Sequence, residues 1–90
     1  MATAEEADMR KRRLRFRVWH RGMREVDLIL GRFADARLAR MNDGDLDAFE
    51  ALLETPDQDV LGWVLGDLPV PPERNTPFLR ALIAFHRATP

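Results

Sequence analysis

Apolar residues recur through most of this chain at intervals of three and four, the spacing that lines one face of an α-helix. The fullest stripe runs from Met23 to Arg40, where Val26, Ile29, Leu30, Phe33 and then Ala34 or Arg37 share a side. Its ends suit the helix dipole, with Glu25 and Asp27 in the first turn and Arg37 and Arg40 in the last. Gly31 inside it costs up to about 1 kcal/mol relative to alanine, so close packing of another helix against that bare point is expected. Before it, Leu14 and Val18 form a thinner stripe over Met9 to His20, edged by Arg10, Arg13 and Arg17. A short helix with so narrow a stripe needs a neighbour to stay folded. Gly22 marks the turn between the two helices.

Three more helices follow. Asn42 is placed to cap a third, with Asp45 three residues on as an approximate capping box, and Leu46, Phe49, Leu52 and Leu53 on its buried side. Thr55-Pro56-Asp57 breaks that helix. Asp57 is then expected to cap a fourth, with Val60, Leu61, Val64 and Leu65 inward and an end near Gly66. Leu68-Pro69-Val70-Pro71-Pro72 is a stiff extended connector, because its prolines restrict themselves and the residues before them. Thr76 and Pro77 read as an N-cap and a first helical position. The fifth helix turns Phe78, Leu79, Leu82, Ile83 and Phe85 or His86 inward. No stretch alternates with period two. The fold class is all-α, a single compact five-helix bundle with antiparallel neighbours. Residues 1–8, small and acidic, are expected to be a flexible N-terminus, and residues 9–90 the helical domain.

Charge changes the picture more than composition does. The net charge is −1, yet from Arg10 to Arg24 there are eight Arg or Lys and no acid. From Met41 to Glu73 there are nine Asp or Glu and no Lys or Arg. This separation either orients a partner before contact or holds the basic helix against the acidic half of the same fold. Apolar residues at 46% are enough for a core. No apolar run approaches the roughly 18 residues of a membrane span, and the first residues lack the plan of a secretory signal or a transit peptide. A soluble cytoplasmic (bacterial) protein is expected, with no membrane insertion.

Candidate chemistry is sparse. Cys, Ser and Tyr are absent, which removes disulfides, thiolate metal sites and the usual nucleophiles. The two imidazoles, His20 and His86, stand in no metal-binding spacing, and Asp43, Asp45 and Asp47 do not complete a calcium loop. No catalytic or metal-ligating residue is assigned. What remains is Arg21-Gly22-Met23-Arg24-Glu25. Arg21 and Glu25, four apart, either form a local ion pair contributing about 0.3–0.5 kcal/mol or do something sharper. In the sharper reading Gly22 bares the backbone to another molecule, Arg21 offers it a fork of donors, and Glu25 steadies that fork.

Arg21, Gly22 and Glu25 form an Arg-Gly-x-x-Glu motif that resembles the signature of the succinate dehydrogenase flavinylation (assembly) factors. The resemblance extends to Trp19 or His20 before the motif and to Met23-Arg24-Glu25-Val26-Asp27-Leu28 through it. It continues in Leu52-Leu53-Glu54-x-x-Asp57-x-Asp59-x-Leu61-x-Trp63-Val64, so that it covers Arg12 to Leu65. The chain departs from the family at Gln58, where proline is frequent, and at Gly62. The resemblance implies a five-helix FAD assembly factor domain that binds the flavoprotein subunit of succinate dehydrogenase, and in some members fumarate reductase. Such a factor promotes covalent attachment of FAD to a histidine of that subunit. It implies an assembly factor without its own active site and with no stably bound cofactor, the FAD belonging to the client. Arg21, Gly22 and Glu25 carry over as partner-binding residues. Trp19, His20, Met23 and Arg24 flank them as further candidates, Trp19 being either half-buried cover or contact. Trp63, off the apolar face of the fourth helix, is either a partner anchor or packed on the connector's prolines.

The rival reading is a nucleic-acid-binding or generic interaction module that uses the Arg10–Arg24 helix on phosphates. The acidic middle of the chain and the lack of Asn or Gln on that helix count against it, so no nucleic-acid partner is expected.

Overall fold

The computed structural model of the protein describes residues 3–89. Among them are five α-helices and no strand: α1 (Ala4–Trp19), α2 (Arg24–Arg37), α3 (Asp43–Leu53), α4 (Asp57–Leu65) and α5 (Pro77–Ala88). Short 3-10 turns follow α2 at Leu38–Arg40 and interrupt the connector at Pro72–Arg74.

The first helix begins at Ala4, ahead of the Met9 start that the spacing of apolar residues suggested. The cause is a complete capping box: Thr3 Oγ1 accepts from the Glu6 N–H at 3.1 Å, and the Glu6 carboxylate accepts from the Thr3 N–H at 3.4 Å. The early acids that look like a polar tail satisfy the helix dipole instead. The expected Asn42–Asp45 box is present at the start of α3. Thr76 caps α5 with Pro77 behind it, and Gly66 ends α4 in a left-handed conformation. One cap differs from the sequence reading. Pro56, not Asp57, is the N-cap of α4, and the Asp57 side chain is engaged elsewhere.

The core gathers around Phe33 of α2, which meets Phe49, Phe78 and Phe85 edge-on with centroids 6.1, 5.6 and 5.4 Å away. Leu14, Val18, Val26, Leu30, Leu46, Val60 and Leu82 complete it, each 2% exposed or less. Arg37, one of the two candidates for the next inward position on α2, stays outside with its guanidinium over the Phe85 ring; Ala34 takes the buried place.

Two sets of polar contacts fix how α1 lies. Arg15 reaches Asp35, and Lys11 donates to the Ala39 carbonyl, while Trp19 covers Gly31. Falling numbers on α1 thus meet rising numbers on α2, and the two are antiparallel. Against α3 the order is reversed: Arg10 pairs with Asp47 and Glu50, and Arg17 with Glu54. The basic helix runs parallel to the acidic one and is held to it by charge. Asp47 and Glu50 keep the Arg10 guanidinium above its ordinary range by hydrogen bonding and proximity.

Candidate functional site

The turn from α1 to α2 is built by three residues with separate jobs. His20 closes α1, its N–H donating to the Arg17 carbonyl at 3.3 Å. Gly22 follows with φ of +99°, a conformation that an L side chain adopts only at a cost of about 1–2 kcal/mol. A Cβ there would meet nothing within 4 Å. The glycine is needed for the backbone turn, and the space outside it is open. Met23 then serves as the extended N-cap of α2 without a side-chain hydrogen bond.

Arg21 points inward. Its side chain is only 14% exposed and pairs with Asp57, itself 21% exposed. The guanidinium also donates to the Leu53 carbonyl at 2.8 Å and to the Thr55 carbonyl at 3.1 Å. Those oxygens lie at the end of α3, where unsatisfied carbonyls and the negative end of the helix dipole attract a cation. Thr55 is buried, and its hydroxyl accepts from Arg74 at 3.3 Å. The α3–α4 turn is therefore gripped from both sides. The Arg21 N–H in turn donates to Asp27 at 3.2 Å, which ties the corner to the first turn of α2.

The local Arg21–Glu25 pair considered from the sequence does not form. The cation is spent on Asp57 and two carbonyls, and its fork of donors is not turned outward. Glu25 is left exposed on α2, with no ion pair or side-chain hydrogen bond among the described residues. It stands at the mouth of an apolar groove of about 230 Å³ between α2, α4 and α5.

The flanking candidates divide. Trp19 is partly buried, and its indole fills the place where a Gly31 side chain would be. This is the close packing expected at Gly31. Met23 is partly buried against the core. Arg24 is exposed. His20 is exposed and stacks on Phe16 at 4.1 Å, with its Nδ1 2.7 Å from the Phe16 carbonyl. Trp63 requires a correction: it does not fall off the buried face of α4. It is 7% exposed and lies beside Leu52, Phe78 and the Glu73–Arg74 turn of the connector, so the ring is core and not a surface anchor. The sequence reading missed Asp57 as the acceptor for Arg21 and missed Leu28 and Phe16 as exposed apolar residues; it also placed Leu65 inward, whereas the buried face of α4 is Val60, Trp63 and Val64 and Leu65 is left 51% exposed. A helical wheel extended to the last turn of α4 places Leu65 at the edge of its stripe, the one available hint.

Among the described residues no three His, Asp or Glu side chains converge as a metal site needs. No helix there is long and apolar enough to cross a membrane. The groove beside Glu25, at about 230 Å³, is smaller than the roughly 300–1,000 Å³ typical of small-molecule sites. What fold and corner define is a small all-helical protein that offers outward a bared turn, a carboxylate unpaired among the described residues, and apolar side chains.

Comparison with known proteins names the group. Residues 12–86 match the family described as the flavinator of succinate dehydrogenase, and the chain belongs to that family. The FAD assembly factor SdhE of Acetobacter pasteurianus is 42% identical over 74 residues, which are 82% of this chain and 68% of that protein. The mitochondrial succinate dehydrogenase assembly factor 2 of Dictyostelium discoideum is 33% identical over 81 residues, 90% of this chain and 57% of the relative. That of Meyerozyma guilliermondii is 37% identical over 70 residues, 78% and 52% respectively. The chain thus spans just over half the length of these mitochondrial relatives.

Proposed function

We propose that this chain is an assembly factor that binds the flavoprotein subunit of succinate dehydrogenase and promotes covalent attachment of FAD to a histidine of that subunit. Fumarate reductase, a related flavoprotein, is a second client. Membership of the flavinator family and the names of the relatives support the task. The observation that carries the site is Glu25: exposed, unpaired among the described residues and one turn from the open face of Gly22.

The flavin and the histidine both belong to the client, and the flavin ring would take up the negative charge that develops as they are joined. Reactions of this kind depend on groups held in place before the charge develops. This chain's contribution is to hold the client in the pose where those groups are set, by binding that pose better than others. Gly22 leaves room for the client's backbone, and Glu25 offers it a carboxylate. Arg21 keeps both in register by locking the corner to the α3–α4 turn. With its guanidinium spent on Asp57, Leu53 and Thr55, Arg21 acts as a positioning residue and not as a donor to the flavin. The chain supplies no catalytic group of its own in this reading.

The test is Glu25→Ala with apo-client, scoring covalent flavin by its ultraviolet fluorescence in denaturing gels. Flavinylation is expected to fall at least tenfold while the melting curve stays within the roughly 0.5 kcal/mol of a surface change. Full flavinylation by this variant removes Glu25 from the site.

A further inference from the structure

The groove beside Glu25 lies between α2, α4 and α5. Ile29, Leu61 and Phe85 form its floor, and Leu28 and Leu65 stand on its rim at 37% and 51% exposure. Leucines so exposed on a small helical protein call for an explanation when they share one concavity. A cavity of about 150 Å³ accommodates a benzene ring, so about 230 Å³ takes one large side chain with room beside it. It is too small for a whole helix to sink into. The rim carries two charges without partners among the described residues, Glu25 and Arg32, both on α2 and seven residues apart. That spacing is roughly 10 Å along the helix axis.

We infer that this groove seats a segment of the flavoprotein client, and that the segment is amphipathic. It presents one large apolar side chain to the floor, a Lys or Arg to Glu25, and an acidic side chain or a helix C-terminus to Arg32. Two observations choose the client over other occupants. The groove is continuous with the Gly22–Glu25 corner, since Glu25 belongs to both. Glu25 is open to a partner because Arg21, the neighbour that could neutralise it, is turned inward to Asp57, and with Arg32 it gives the rim both signs of charge, which an amphipathic client segment complements. The inference rests on the proposed function and extends it from a single carboxylate to a bipartite interface. Anchoring by a buried apolar side chain ringed by polar contacts is how protein interfaces concentrate their binding energy.

The experiment measures the affinity of the whole chain for apo-client by calorimetry, with Leu65→Glu, Leu28→Gln and Met9→Ala. Met9 is 55% exposed but lies near the start of α1, away from the groove. Leu65→Glu and Leu28→Gln are each expected to raise Kd about tenfold, equivalent to about 1.4 kcal/mol, and Met9→Ala to leave it unchanged. Both rim positions are surface-exposed, and unchanged melting curves confirm that the variants fold. Wild-type affinity for both rim variants, with Glu25→Ala still defective in flavinylation, overturns the groove and leaves the proposed function standing. No client binding by the wild-type chain overturns the proposed function itself. Sedimentation of the same samples separates the remaining occupant: a dimer that Leu65→Glu dissociates, with client affinity intact, assigns the groove to a second copy and refutes the inference.

Discussion

Replacing Arg21 by alanine separates a structural arginine from a partner-contacting one. The variant breaks the ion pair to Asp57 and orphans two carbonyls at the end of α3. Breaking a fully buried pair by removing one partner costs about 3–5 kcal/mol, and hydrogen bonds to charged groups contribute about 1.5–3 kcal/mol. Both side chains retain some exposure, 14% and 21%, so solvent recovers part of each term and the expected loss is about 2–3 kcal/mol. For a domain of this size that lowers the melting midpoint on the order of 10–20 °C. Urea denaturation followed by circular dichroism measures it. A cycle with Asp57→Ala isolates the pair, with a coupling energy of about 1–2 kcal/mol expected between residues that share a network. Glu25→Ala in the same assay should move stability by less than about 0.5 kcal/mol. An Arg21→Ala variant as stable as wild type would refute the reasoning, for it would mean that the guanidinium is not committed inside the fold and is free to meet a partner.

Two other perturbations test how α1 is held. Gly31→Ala improves helix propensity by up to about 1 kcal/mol, yet it places a methyl on the Trp19 indole. Overpacking of about 1–3 kcal/mol should win, with a lower denaturation midpoint and a shifted tryptophan emission; a more stable variant would show that Trp19 is not seated there. Raising NaCl from about 0.1 to 1 M shrinks the Debye length from about 10 to 3 Å and should weaken the solvent-accessible rungs from Arg10 and Arg17 to α3. An Arg10→Gln/Arg17→Gln variant should melt with a smaller salt dependence than the wild type, and equal dependence would deny those pairs a part in stability.

The helices were legible because their signals are local. Apolar spacing located α2, α3 and α5, and Asn42, Gly66, Thr76 and Pro77 marked ends that the structure keeps. The start of α1 was misplaced because its apolar stripe is thin, and the Thr3–Glu6 box was read as a polar tail. The contrast between basic and acidic halves carried real tertiary information, and the pairs Arg10–Glu50, Arg17–Glu54 and Arg21–Asp57 realise it. Which acid each arginine takes was not legible. Arg21 and Glu25 are one helical turn apart on paper, but Gly22 breaks the helix between them, so the rule for residues four apart does not apply. Trp63 was misread although the spacing carries it: it stands three residues after Val60 and beside Val64, shares their buried face, and so turns its ring into the core.

That break at Gly22 also explains why the two charged residues of the motif face opposite ways. A continuous helix through residues 19–25 would stack Arg21 on Glu25 and neutralise both at the surface. The positive φ at Gly22 instead starts a new helix axis, which sends the Arg21 guanidinium toward the negative end of α3 and leaves Glu25 on the first turn of α2. A carboxylate there is favoured by the helix dipole, and it lies exposed with no neutralising partner among the described residues. Changing any one of the three residues therefore damages the same surface by a different route. Losing Arg21 loosens the corner, a side chain at Gly22 strains it and blocks the approach to it, and losing Glu25 alone leaves the fold intact but strips the corner of its charge. Stability measurements and client binding, taken together, distinguish those routes, because only the Glu25 variant should lose binding at full stability.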